Sequence, residues 1–355
     1  MKTLKTKVLP FVLAVLLINL MLNLIFSNRI TEDRFTTRYN YLKKNLTSYN
    51  TLFFGSSRTL RHTIPATFDA ANQLNGIETN SFNLGTPGNS SFETYMQYET
   101  FLDYYEGLEE RPIQTVFLEI FPLTRVSWEN STSSKSVYWM SLKNAKRLYG
   151  YVNDKEDYTL KRKASYSIFS IPLFLKYFGF GYINFSSDSA DKKIWLGKNV
   201  DGFLSYEEEI ALSKSEHNKK SLLEQRNDFV KDTTQLESRK QAILEEMKNE
   251  DNASNFNPSH AEVLKELMAK SEEVGINLIF TVHPRLNPIN EMQALKEALP
   301  NRIIDMSNPN EYAEFWKVET SFNHGHLNTS AANIYTKKLA KIFEANRAEQ
   351  FTKTN

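Results

Sequence analysis

The hydrophobic pattern changes period several times along the chain, and each change marks a different kind of element. Val8 to Phe26 is almost unbroken apolar sequence, interrupted only by Pro10, Asn19 and Asn23 and free of charge. A helix of about 20 such residues spans a hydrocarbon core. Lys2, Lys5 and Lys7 precede the run, and the residues after it (Arg29, Glu32, Asp33, Arg34) are mixed in sign. The positive-inside rule then predicts a cytoplasmic tail at 1–7, a transmembrane anchor at 8–27 and everything later on the far side of the membrane. A cleaved signal peptide is the alternative, but no Ala-x-Ala-like exit follows the run, which favours a retained anchor.

From Ser27 to Asn50 the pattern becomes helical and polar, with Phe35, Tyr39, Leu42 and Leu46 on one face, and predicts a stalk helix over 28–49. Strands and helices then alternate. Strand Thr51–Phe54 runs into Gly55-Ser56-Ser57-Arg58, helix Pro65–Leu74 follows, and strand Ser81–Leu84 ends in Gly85-Thr86-Pro87-Gly88. Helix Phe92–Leu108 and the β-branched strand Gln114–Ile120 complete a run of parallel βαβ units. The rhythm stops over about 124–255 and resumes with helix Ser259–Glu273, strand Asn277–Val282, helix Asn290–Ala298, strand Arg302–Met306 and helix Thr329–Ala345. The expectation is an α/β three-layer sandwich with a central parallel sheet, forming one extracytoplasmic domain over 50–350 with a large, mostly helical insertion.

Composition narrows the function. Lys and Arg number 43 against 42 Asp and Glu, so the net charge of +1 offers no basic surface for nucleic acid. Cysteine is absent, which excludes disulfides and thiolate metal sites. Within the insertion, the aromatic stretch Tyr166 to Phe185 follows Lys161-Arg162-Lys163. It fits a membrane-surface segment less well than ordinary core, because Pro172 and Lys176 interrupt its apolar face. The charged stretch Glu207 to Glu250 reads as solvated helix.

Open parallel sheets place their sites at the carboxyl ends of strands, and three segments lie there. Ser57 follows the first strand at a strand-to-helix turn, where a hydroxyl is exposed and a backbone N–H is free for an oxyanion. Asn83 to Ser90 follows the second strand, with Gly88 allowing close backbone approach and Asn89 beside it. Asn323-His324-Gly325-His326 precedes the last helix. The two histidines lack a third ligand nearby and no HExxH pattern occurs, so metal binding is not indicated and no cofactor is implied. A serine and a histidine from distant positions suit a nucleophile and its base.

Taken together, Phe53-Phe54-Gly55-Ser56-Ser57-Arg58, Asn83-Leu84-Gly85-Thr86-Pro87-Gly88 and His326-Leu327-Asn328 resemble the SGNH (GDSL-like) hydrolase superfamily. The likeness covers roughly Asn50 to Glu119 and Ser259 to Ala345. It is nearer the membrane-anchored branch that includes the teichoic acid D-alanyl transfer protein and the alginate O-acetylation proteins. The resemblance implies an SGNH/flavodoxin-like fold at a bacterial cytoplasmic membrane. It also implies Ser57 as nucleophile, His326 as base, and the N–H groups of Ser57 and Gly88 as oxyanion hole. A glycopolymer substrate and a membrane-bound O-acyltransferase partner are implied as well.

Two positions depart from the family pattern. Asn323 stands where the family has an Asp, and Glu119-Ile120-Phe121-Pro122 stands where it has the oxyanion Asn. Glu319 or Asp305 are candidates for the missing charge. Three functions remain open: an O-acyltransferase, an esterase or deacetylase with the same Ser–His site, and a non-catalytic polysaccharide-binding or assembly protein. Arg58 either binds an anionic substrate or pairs with a structural carboxylate, and Asn89 is a second candidate for substrate contact.

Overall fold

The computed structural model describes residues 8–15, 17–18, 21, 33–120, 142–154, 158–165, 192–248, 257–285 and 292–354. Short β-rich runs form the sheet: β1 Thr51–Phe54, β2 Ser81–Asn83, β3 Thr115–Glu119, β4 Asn277–Val282 and β5 Ile303–Asp305. They pair in the order β2-β1-β3-β4-β5, every pair parallel. Their residues are almost all buried, as parallel strands covered on both faces require. Apolar runs read from sequence extend one residue past three of these strands, and single ladder bonds from Leu84, Ile120 and Met306 account for the surplus.

Side-chain alternation in the strands divides the helices that pack on the sheet into two layers. The helices are α1 Asp33–Lys44, α2 Ser57–His62, α3 Pro65–Leu74, α4 Ser91–Glu106, α5 Leu142–Asp154, α6 Tyr206–Leu212, α7 Glu216–Lys231, α8 Thr234–Lys248, α9 Pro258–Glu273, α10 Met292–Ala298 and α11 Thr329–Thr354. Phe53, Phe117, Ile279 and Ile304 point to one face and share a core with Phe68 of α3 and Tyr335, Leu339 and Phe343 of α11. Phe54 points the other way and meets Tyr98 and Phe101 of α4, with ring centroids 5.2 and 5.7 Å away. Tyr98 in turn bonds Ser271 of α9 at 2.6 Å. This is a three-layer α/β arrangement around a parallel sheet.

The chain divides into two compact units. The larger comprises 34–123 and 190–355 and holds the sheet; the smaller comprises 1–33 and 124–189. In the smaller unit the described part of the second segment is α5 and a short helix after it, and Lys163 bonds the carbonyl of Asn153. The expected insertion over 124–255 is therefore not one body. Residues 192–248 belong with the sheet, and Phe229, Leu236 and Ile243 of α7 and α8 join its core.

Helix α1, read as part of a stalk, packs on the sheet unit through buried Phe35, Tyr39 and Leu42. Its fully buried Arg38 bonds the Gly85 carbonyl and lies 3.4 Å from Thr86 Oγ1. Residues 8–15 are helical, with Val8, Leu9 and Phe11 exposed. Among the described residues no helix is long and apolar enough to cross a membrane. Much of the expected anchor at 8–27 lies outside the described residues, as does the aromatic stretch Tyr166 to Phe185.

Candidate active site

Ser57 is the first residue of α2, directly after β1 and the turn Gly55-Ser56. Its N–H is one of the helix-start donors that have no intrahelical acceptor. The turn is held from below by Glu119 at the end of β3. This fully buried carboxyl accepts from Ser56 N at 2.6 Å, Ser56 Oγ at 2.9 Å and Thr59 Oγ1 at 2.8 Å. A Cβ on Gly55 would lie 1.8 Å from Thr59 Oγ1 and 2.5 Å from Glu119 Oε2, so only glycine admits this approach. The site thus sits at the carboxyl ends of β1 and β3, where the strand order reverses and open α/β sheets bind their ligands.

His326 lies 269 positions further on and places Nε2 2.8 Å from Ser57 Oγ. Its tautomer follows from its neighbours. Asn323 Oδ1 accepts the backbone N–H of Gly325 at 2.9 Å, which identifies it as the oxygen, and it lies 3.0 Å from His326 Nδ1. Asn323 Nδ2 donates to Gln225 Oε1 at 2.8 Å, which agrees with that assignment. The proton therefore resides on Nδ1, and Nε2 is left to accept from the serine hydroxyl. Asp305 is instead engaged by Lys296 at 2.8 Å and by Ser307, while the Glu319 side chain is exposed.

Asn323 and His326 face each other across the antiparallel pair β6 Ser321–Asn323 and β7 His326–Leu327. Two arginines grip this hairpin by its carbonyls. Buried Arg285, at φ 65°, donates to Asn323 O and His326 O, both at 2.9 Å, and to Phe315 O at 2.7 Å. Arg226 of α7 donates to Ser321 O at 2.6 Å and Phe322 O at 3.0 Å. Tyr206 stacks on Phe322 and meets the His326 ring edge-on, with centroids 5.2 Å apart. Arg61 lies over Tyr206 and forms a buried ion pair with Glu209 at 2.6 Å.

The remaining sequence candidates fall into two groups. Gly88 takes a left-handed conformation, φ 73°, in the loop after β2. Asn83 braces the start of that loop, donating to Thr59 O and Thr63 O and accepting from Gly85 N, each at 2.8 Å. Asn89 is not directed to the Ser57–His326 pair: its buried amide donates to Gln97 Oε1 at 2.7 Å. Arg58 has no carboxylate partner among the described residues and donates to the Arg285 carbonyl at 3.1 Å.

Three histidine rings cluster here. His62 stands 5.5 Å from His283 and 6.0 Å from His326, centroid to centroid. His62 Nε2 accepts from Leu327 N at 3.1 Å, so His62 is neutral with its proton on Nδ1. Among the described residues no group of His, Asp or Glu is arranged to hold a metal ion. Burial holds all three histidines below their ordinary value, His283 at about 4. For His326 the charges of Arg58, Arg61, Arg285 and Arg239 add to burial in the same direction.

The sign of the resulting pH dependence is fixed. Below pH 6.5 the unfolded chain takes up protons that the folded chain refuses, so this stabilisation is complete above 6.5 and fades toward pH 4. His62 and His283 act in the same direction, each steepening the loss of stability as the pH falls below 6.5. Denaturant melts at pH 7 and pH 5 are expected to show the loss, and His62→Gln is expected to flatten the dependence. A stability unchanged from pH 7 to pH 5 contradicts neutral buried histidines.

Sequence reasoning did not find Arg285, Arg226, Gln225, Tyr206 or His283. Only His283 carried a usable signal, as a polar residue directly after the apolar strand β4. Comparison of the chain with protein-family models, with curated proteins and with solved structures finds no match.

Proposed function

We propose that the protein is a serine acyltransferase of the SGNH type that acts through an acyl-Ser57 intermediate. The single observation that carries this reading is the 2.8 Å contact of Ser57 Oγ with the unprotonated Nε2 of His326, its tautomer held by Asn323. His326 takes the hydroxyl proton as Oγ attacks an ester carbonyl. The N–H groups of Ser57 and Gly88 are the proposed donors to the oxyanion as it forms. Collapse breaks the ester bond, and His326 returns the proton to the departing alcohol. A sugar hydroxyl then gives its proton to Nε2 and attacks the acyl group, and as the acyl–Oγ bond breaks Nε2 passes the proton to Ser57 Oγ. In this reading residues 8–27 anchor the chain in a bacterial cytoplasmic membrane, its catalytic domain outside. There it meets a glycopolymer and a membrane-bound O-acyltransferase that supplies acetyl or another small acyl group. Tethering raises its effective concentration near that partner.

The test is a two-step mass measurement. Full-length protein is acetylated with p-nitrophenyl acetate, the Ser57 peptide is weighed, and a neutral or acidic oligosaccharide is added. Acetyl-Ser57 that discharges onto sugar supports the transferase, discharge to water alone makes the protein an esterase, and no acetyl-Ser57 contradicts both.

Asn323 supplies a second prediction. It orients the imidazole but brings no negative charge, whereas a carboxylate would bond imidazolium about 1–1.5 kcal/mol more strongly. Asn323→Asp is therefore expected to raise kcat roughly tenfold. It should also move the acid limb of the pH profile upward, because a nearby carboxylate favours the protonated ring. A slower enzyme with an unmoved acid limb contradicts this role for Asn323.

A further inference from the structure

Two guanidinium groups meet beside Ser57 with no ion pair to a carboxylate among the described residues, although the charge of buried Glu119 is felt by Arg58. Arg58 follows Ser57 in α2, and Arg239 comes from α8, far away in sequence. Both donate to one acceptor, the main-chain carbonyl of Arg285, at 3.1 and 2.9 Å. Neither has an ion pair with a carboxylate among the described residues, although Lys and Arg elsewhere in the same unit find Glu or Asp. Arg58 Nε is buried and unbonded, and both side chains are only partly exposed. Arg239 also approaches the hairpin of the base, its Nη1 3.6 Å from where a Cβ on Gly325 would stand.

Like charges brought together and partly stripped of water oppose folding unless something else compensates. The shared carbonyl offers a dipole only, and Glu119 acts on Arg58 without bonding it, its oxygens being taken by Ser56 and Thr59. The donors left over on two planar forks suit an oxyanion, which accepts bidentate bonds from arginine. The location is equally specific. Arg58 is the first of the charges that depress His326, so a group bound there lies next to the reacting atoms.

We propose that Arg58 and Arg239 form an anion-binding subsite beside Ser57, and that the acyl donor or acceptor carries a carboxylate or phosphate next to the ester it exchanges. The proposal rests on the acyl-ester reading of Ser57 and His326 for its meaning as a substrate site, while the binding itself does not require the serine. An anion seated there offsets the arginine charge and makes proton uptake by His326 easier, which favours the chemistry only when the right substrate is present.

The experiment is calorimetric titration of the full-length protein in detergent with inorganic phosphate and, separately, with glucuronate. It is repeated on Ser57→Ala, Arg58→Gln, Arg239→Gln and Arg239→Lys. The expected result is one site per chain for at least one anion, kept in Ser57→Ala and weakened at least tenfold in either Gln variant. Arg239→Lys, which keeps the charge, is expected to recover most of the affinity and guards against a folding defect in Arg239→Gln. The preferred anion identifies the substrate group as phosphate or carboxylate. No binding of either anion, or binding that both Gln variants retain (an adventitious ion only), overturns the proposal. A failure of the serine chemistry would show separately, as intact anion binding with no acyl-Ser57.

Discussion

His326→Ala is expected to lower turnover of p-nitrophenyl acetate by on the order of 10⁴-fold, and adding Ser57→Ala is expected to cost little more. In the proposed mechanism the 2.8 Å contact between the two side chains makes them act as one unit. A serine hydroxyl alone is a weak nucleophile at neutral pH, and its activation depends on a base able to take the proton as the bond forms. Removing either partner removes that step, so the second loss finds nothing left to disable. The variants are compared by kcat and kcat/KM on the same ester. Two large losses that multiply would mean the residues act independently, and a full-rate His326→Ala would remove histidine from the mechanism. The pH profile adds a check: because burial and four arginines hold His326 below its ordinary value, wild-type activity should persist well below pH 6.5.

Glu119→Ala is expected to destabilise the fold by about 3–5 kcal/mol, a large share of the 5–15 kcal/mol typical of a domain. Three donors converge on this carboxyl: Ser56 N, Ser56 Oγ and Thr59 Oγ1. Each buried donor left without an acceptor costs about 1–3 kcal/mol, and some recover partners when the site relaxes. Glu119→Gln keeps the size and one acceptor oxygen, so a loss nearer 1 kcal/mol is expected. Urea melts of the two variants measure the difference. Equal stability of Glu119→Ala and wild type would mean that the Gly55-Ser56-Ser57 turn does not depend on the carboxyl. If Ser57 is acylated as proposed, the same substitution should also slow that step, because the turn positions Ser57.

Much of the sheet was legible because buried parallel strands are written as short apolar runs. Thr51–Phe54 and Asn277–Val282 keep the bounds that the sequence reading gave them, as does helix Pro65–Leu74. The Ser57 and His326 segments could be singled out because both lie where a strand or its loop opens onto the carboxyl edge of the sheet. Glu119 was visible only as a residue standing where the SGNH pattern that the sequence resembles has an Asn. Its part in holding Ser56 depends on a contact across 63 residues, which no local pattern encodes.

The wall of the site was not legible. The stretch Glu207 to Glu250 is so rich in charge that it reads as solvated helix, yet Phe229, Leu236 and Ile243 are buried in the sheet's core. These three residues lie seven apart, one per two helical turns, a stripe too thin among the charges to read as a buried face, although they join the core on which α7 and α8 dock. Docking is what brings Gln225 and Arg226 to the hairpin and Arg239 to Arg58. The helix read as a stalk illustrates the same point. Its apolar face was correctly spaced, but spacing alone does not say whether the face meets the domain, and here Arg38 reaches the Gly85 loop.

The central claim is that Ser57 is an activated nucleophile, and covalent capture tests it most directly. Full-length wild-type protein and Ser57→Ala are treated with a fluorophosphonate at neutral pH and weighed intact. One adduct on the wild type, located to the peptide holding Ser57 and absent from the variant, is the predicted result. Folded wild-type protein that gains no adduct, or an adduct that Ser57→Ala retains, would contradict it.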